Sequence, residues 1–258
     1  NGNHRAIGAR VRVHSGAGIN ALTQLREVSS GSGHGSTSSF TLNVGLGYNT
    51  FANQVHVYWP SGCIQAVGRL PAGFHTITEN CSDAHQIVGR ITWNGTGVPD
   101  ATIWDALRFP QSVTTTDAGG FFVLSGYQQG DLAFLNANST RDEFVLELGA
   151  GIFQVGGGDL VDNEIKLSLK DGYIAGYMNL DTGEPLVDTQ IWDVLTYPSS
   201  IVSTDASGLY IMGLFSAGQS VFINPNSRSD LTMTPGATVL QYDGSALAGP
   251  NFTGTAVQ

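Results

Sequence analysis

The sequence predicts an all-β chain, one small β domain followed by two tandem β-sandwich repeats. Three observations carry that expectation. The first is internal repetition. Ile103-Trp104-Asp105 returns as Ile191-Trp192-Asp193, and Thr116-Asp117-Ala118-Gly119-Gly120 returns as Thr204-Asp205-Ala206-Ser207-Gly208. Asn136, Asn138 and Ser139 return as Asn224, Asn226 and Ser227, so every pair is 88 positions apart with no gap. A constant offset over that span marks a duplicated unit. The second is composition. Charged residues are only 12% of the chain while Gly reaches 34 of 258, a mix that favours short strands and turns over long helices. The third is a two-residue alternation of apolar and polar side chains in several short runs, each closed by a turn signal. The boundaries that follow are 1–84 for the small domain, 85–170 for the first repeat and 171–258 for the second. Pieces of roughly this size bury a small core.

In residues 1–84, Ala9, Val11 and Val13 alternate with Arg10 and Arg12, the pattern of a half-buried strand. Leu22 to Val28 and Phe40 to Val44 are further candidate strands. Gln54 to Trp59 alternates again and stops at the turn Pro60-Ser61-Gly62, and Phe74 to Thr78 is expected to close the segment. Cys63 and Cys81 flank the Ile64-to-Thr78 hairpin region and are expected to form a disulfide. Closing a loop of about this length stabilises by roughly 3 kcal/mol in the chain-entropy model.

The motifs of this first segment resemble the ASPIC/UnbV domain. Asn3-His4-Arg5-Ala6-Ile7-Gly8-Ala9-Arg10-Val11 is similar to its opening motif, and Arg26-Glu27-Val28 with Ser30-Gly31-Ser32-Gly33 to its second strand and glycine loop. Val44-Gly45-Leu46-Gly47, Val57-Tyr58-Trp59-Pro60-Ser61-Gly62 and Pro71-Ala72-Gly73 follow in the family's order. The resemblance implies an extracellular setting, because such domains usually follow a β-propeller in secreted and surface proteins. Here no propeller precedes the motif, and the apolar strand usual before it is absent from this sequence.

Each repeat opens with a strand, Ile87-Val88-Gly89-Arg90-Ile91 or Ile174-Ala175-Gly176-Tyr177-Met178. A Gly-containing turn, the Ile-Trp-Asp strand, a Pro-containing loop and the Thr-Asp-X-X-Gly turn follow in order. The next strands are Phe121 to Leu124 or Leu209 to Met212, then Leu132 to Leu135 or Ser220 to Ile223. Final strands are expected at Glu164 to Leu169 and Phe252 to Val257. Six or seven short strands per unit point to a sandwich. With Val98-Pro99-Asp100-Ala101-Thr102-Ile103 and its counterpart at Pro185 to Ile191, the pattern resembles the carboxypeptidase regulatory-like or CnaB-like sandwiches of transthyretin type. That resemblance implies spacer or stalk modules. The internal Lys–Asn bond some of them carry is not expected, since Lys166 and Lys170 are the only lysines. Asp117 and Asp205 are expected to organise turns by accepting backbone N–H bonds. Trp104 and Trp192 are expected in equivalent buried positions, with exposed sugar-stacking platforms as the alternative.

No catalytic residue is assigned, because no nucleophile elbow, Cys–His arrangement or phosphate loop is present; paired carboxylates converging in space stay open. The six histidines (His4, His14, His34, His56, His75, His85) show no close pairing along the chain, and neither a metal nor another cofactor is expected. Asp159, Asp162 and Glu164 lack the spacing of a Ca²⁺ loop. Residues 1–84 carry five arginines against three acids, a net of +2, which leaves −12 for the remainder of the −10 total. That balance speaks against nucleic acid as a partner and suits head-to-tail attraction between copies. No run approaches a membrane-spanning length. Sequons stand at Asn80, Asn94, Asn138 and Asn251. Together these features predict a non-enzymatic extracellular or cell-surface structural protein, a stalk or filament subunit that assembles with itself head to tail. A carbohydrate-binding or adhesive module that takes glycans is the alternative. The expected assembly contacts are Ile7, Val11 and Val13 of one copy and, as strand donor, Phe252 and Val257 of the next.

Overall fold

The computed structural model describes residues 5–31, 39–81, 84–137, 141–148 and 151–257. Its described residues form strands and one 3-10 turn, Gly18–Asn20. Four strands build the first sheet: β1 (Arg10–Ser15), β2 (Leu22–Glu27), β3 (Phe51–Tyr58) and β4 (Ile64–Pro71). They pair antiparallel in the order β2-β1-β3-β4. Ala9, Val13, Val55 and Val57 are buried on one face, where Val11 joins them.

Two expected strands are not strands. Residues 40–46 run extended over the core face and lay Phe40, Leu42, Val44 and Leu46 onto it. Side chains of β2, rather than a backbone ladder, hold that run: Gln24 donates to the Gly45 carbonyl (2.5 Å) and Arg26 to that of Asn43 (3.3 Å). Residues 74–80 are also irregular. Phe74 is 97% exposed, while Ile77 packs on the core. The Cys63–Cys81 disulfide, with Cα atoms 6.2 Å apart, ties the end of this run back to the start of β4.

Both later segments are two-sheet sandwiches with the same strand order. In residues 85–170 one sheet runs Phe144–Leu148, Leu160–Leu169, β5 (His85–Trp93), Phe121–Tyr127. The other runs Gly151–Gln154, Leu132–Asn136, Thr102–Asp105, Val113–Thr115. In residues 171–258 the corresponding orders are Leu231–Thr234, Phe252–Ala256, Tyr173–Leu180, Leu209–Gly213, and Thr238–Gln241, Ser220–Asn224, Gln190–Asp193, Val202–Ser203. In each, the first and last strands lie side by side in parallel.

The interiors follow from the alternation. Ile87, Ile91, Ile103, Phe122, Leu135 and Ile165 fill the first sandwich, and Ile174, Met178, Ile191, Tyr210, Ile223 and Phe252 the second. Because Ile103 and Asp105 point inward, Trp104 must point outward, and the same holds for Ile191, Asp193 and Trp192. The expected burial of Trp104 and Trp192 is therefore corrected: they are equivalent, but half-buried on the outer face of the second sheet. Asp105 and Asp193 take the inward place and are fully buried. Asp105 accepts from the amides of Leu107 and Phe134 and from the Tyr127 hydroxyl. Asp193 accepts from the amides of Leu195 and Phe222 and from the Thr196 hydroxyl. Such bonding is what makes a buried carboxylate tolerable.

The core of 85–170 continues into the next segment. Trp93, nearly buried, packs with its ring centroid 6.0 Å from Tyr177 and 6.2 Å from Phe144, beside Ala175 and Leu209. Trp93→Ala is expected to cost about 3–5 kcal/mol, read as a lower urea midpoint by circular dichroism. Breaking the disulfide, by reduction or as C63S/C81S, is expected to cost roughly 3 kcal/mol, measured by the same titration.

Candidate functional site

Strand β3 is buried on both faces. One face is the core already described. The other carries Gln54, His56 and Tyr58, and β1 sets Arg10, Arg12 and His14 on the same side through the register Arg10↔Tyr58, Arg12↔His56, His14↔Gln54. The Leu160–Leu169 strand lies against this polar face. Its pairing with β5 shifts register between Leu160 and Asn163, and Asp162 there has φ +63°. A bulge of this kind re-aims a side chain, and Asp162 turns into the seam.

The Asp162 carboxylate divides its oxygens. Oδ2 accepts from the Arg12 guanidinium and from the Tyr58 hydroxyl (2.6 Å). Oδ1 faces His56 Nδ1 at 3.5 Å and His14 Nε2 at 4.0 Å. Burial pushes this carboxyl up, but His56, Tyr58 and Arg12 outweigh it and hold it well below the usual range. Burial and the bond to Asp162 push the Tyr58 hydroxyl up to about 12. Burial, with the neighbouring His56, lowers His14 to about 4. His14 Nδ1 bonds Thr23 Oγ1 at 2.8 Å. His56 is 2% exposed, and neither of its ring nitrogens has a hydrogen-bond partner among the described residues.

The repeat turns form the remaining joints. Asp117 Oδ1 accepts from the amides of Gly119 and Phe121, and Asp205 Oδ1 from those of Ser207 and Leu209. Gly120 (φ +80°) and Gly208 (φ +77°) complete the reversal in the left-handed region. The second oxygen of each turn reaches outside its own unit. Asn53 donates to Asp117 Oδ2, and Arg141 to Asp205 Oδ2, both at 3.2 Å. Asp159 bridges β4 and β5 by accepting from the amides of Ala66 and Gln86. Asn20 donates to the Gly183 carbonyl, so the first segment touches both sandwiches. Asp159, Asp162 and Glu164 do not converge; Glu164 instead accepts from the Thr92 hydroxyl.

On the outer face of the last sandwich, Trp192 and Tyr197 meet edge to face at 5.9 Å. They line an open groove of about 510 Å³ with Val194, Ile201, Gln190, Asn224, Asn226 and Ser227, an uncharged set. Tyr197 is 60% exposed.

The expected assembly residues are mostly engaged internally. Val11 and Val13 belong to the first core. Phe252 is a core residue of the last sandwich, and its strand pairs with Tyr173–Leu180 and Leu231–Thr234 of its own chain. The expected donor segment is thus paired within its own chain. Ile7 and Val257 are exposed. Asn80, Asn94 and Asn251 are exposed as sequons require, although Asn251 Oδ1 accepts from the Tyr177 amide; Asn138 lies outside the described residues. His4 and His34 also lie outside them, and His75 contacts the Pro71 carbonyl. The sequence reading missed His14 and His56 because they are far apart in the chain. Only the diagonal of the β1–β3 register brings them together.

The family described as ASPIC and UnbV matches residues 1–82. No curated protein matches the chain. Among solved structures, the shaft pilin SpaA from Lactobacillus rhamnosus GG is 9% identical with a TM-score of 0.31, over 68% of this chain and 98% of that one. The TIE protein of Bacillus anthracis is 10% identical with a TM-score of 0.33, over 97% of this chain and 52% of that one. The minor pilin GBS52 of Streptococcus agalactiae is 12% identical with a TM-score of 0.26, over 67% and 97%. No helix among the described residues is long and apolar enough to cross a membrane.

Asp205→Ala leaves the turn amides without their acceptor and Arg141 without its partner. A loss of about 1–3 kcal/mol is expected, measured as a shifted urea midpoint with unchanged slope.

Proposed function

We propose that this chain is a structural segment of an extracellular or cell-surface protein, a stalk or filament subunit made of three β units at 1–84, 85–170 and 171–258. The observation that carries the reading is the way the units are joined. Each repeat turn spends one carboxylate oxygen on its own amides and the other on a donor from the preceding unit. With the Trp93–Tyr177 contact and the Asp159 bridge, these joints suit a stiff spacer better than a flexible string. The disulfide fits an oxidising compartment.

Copies then join head to tail through sheet edges rather than through an exchanged last strand. Two edge strands offer exposed apolar side chains: β2 with Leu25, 50% exposed, and Thr238–Gln241 with Val239, 61% exposed. Unpaired edges recruit other chains, and a contact that does not close gives a filament. The charge asymmetry between head and body makes association weaken with salt. Light scattering of the chain over a concentration series is expected to show growing oligomers at low salt, and Val239→Lys to suppress them. A chain that stays monomeric at high concentration and low salt overturns the assembly.

The Trp192–Tyr197 groove favours a second reading, a glycan-binding surface. An aromatic platform rimmed by amides and a hydroxyl suits a neutral saccharide, whose apolar face stacks while its hydroxyls bond. Glycan-array binding that disappears in Trp192→Ala supports it, and binding that survives the substitution removes it.

A further inference from the structure

The seam between the first sheet and the Leu160–Leu169 strand holds three donors that share no sequence neighbourhood. The geometry points to a divalent-cation site of the zinc class at His14 Nε2, His56 Nδ1 and Asp162 Oδ1, which staples the first unit to the second. One donor from each of the three residues lies within 4.8 Å of the others. The distances from Oδ1, 3.5 Å to His56 and 4.0 Å to His14, approach the roughly 3.4 Å between ligands held tetrahedrally at about 2.0–2.1 Å from Zn²⁺. Closing the difference takes a few tenths of an ångström at Asp162 and up to about 1.4 Å between the two histidines, whose donors lie within 4.8 Å of each other.

Each donor is already aimed. Thr23 Oγ1 takes the Nδ1 side of His14, which leaves Nε2 facing the seam. Arg12 and Tyr58 both occupy Oδ2 of Asp162, which leaves Oδ1 toward the histidines. Ligating imidazoles and carboxylates are typically fixed in this way by partners behind them. His56 supplies the observation that ordinary packing leaves unexplained. Buried polar groups find hydrogen-bond partners, yet neither of its nitrogens makes one among the described residues, and Nδ1 has only the 3.5 Å approach of Asp162 Oδ1. The donor set also selects the ion. Two imidazoles and one carboxylate suit Zn²⁺, Co²⁺ or Ni²⁺, whereas Ca²⁺ and Mg²⁺ want oxygen alone. Water or another ligand completes the fourth position.

Other groups facing the seam shape the site without replacing it. The Phe121 ring lies 5.1 Å from His14 and keeps that side dry. Arg12 and Arg90 add positive charge nearby, which lowers the basicity of His14 and works against a bound cation, while the Asp162 carboxylate works for it. The competing account is a plain His56–Asp162 contact, which needs no metal.

The test uses the full chain stripped with a chelator and titrated with ZnCl2 and CoCl2. One equivalent is expected to bind, to raise the melting temperature and, as Co²⁺, to give the intense visible bands of a tetrahedral site with nitrogen ligands. His56→Gln and Asp162→Asn are each expected to weaken binding by at least about tenfold. Thr23→Val, which only releases His14, is expected to weaken it about 10–100-fold. Absence of binding by the folded wild-type chain overturns the site and leaves the plain contact. So does unchanged affinity in His56→Gln and Asp162→Asn, which places the ion elsewhere. If either variant fails to fold, the wild-type Co²⁺ spectrum decides, because an octahedral all-oxygen spectrum excludes the histidines.

Discussion

The arrangement of the chain depends on where the Leu160–Leu169 strand lies. It is the inner strand of a sandwich sheet, parallel to β5, and its bulged beginning is also the cover for the polar face of β3. One strand therefore completes a core and docks a neighbour. The first sheet has only one apolar face of its own, and a small sheet with its second face in water is marginal. Lodging that face against Asp162 and Asp159 removes Gln54 and His56 from solvent at the cost of burying polar groups, which explains the density of hydrogen bonds there.

Duplication gives the joints their logic. A Thr-Asp-X-X-Gly turn needs only one carboxylate oxygen to close on itself. The other oxygen is available in every copy, and each copy uses it on whatever precedes: an asparagine from the first sheet in one case, an arginine from the sister sandwich in the other. The same turn thus accepts two different neighbours without changing its own geometry.

Much of this was legible in the residues. The 88-residue offset located matching strands, and the alternation named most of the core. The tryptophans were misjudged because their repetition in a strand was read as burial without counting parity: with Ile103 and Asp105 inside, Trp104 had no inward place left. Phe40 to Val44 looked like a strand by composition, but nothing in a single run reveals whether its backbone or its neighbours' side chains do the pairing. The histidine cluster was invisible for a related reason. Linear spacing reports ligands on one element, and His14, His56 and Asp162 come from three. The last strand reads as a candidate donor because it carries apolar residues and no charge, yet in the fold Phe252 sits in the core and the strand is paired on both sides.

The parallel pairing of first and last strands in each sandwich has a mechanical consequence. A pull that enters through β5 and leaves through Leu160–Leu169, or through Tyr173–Leu180 and Phe252–Ala256, draws adjacent strands along their length in opposite directions. The interstrand bonds are then loaded together in shear, whereas a hairpin pulled at its open end gives way one bond at a time. Each sandwich is therefore oriented to resist tension applied along the chain.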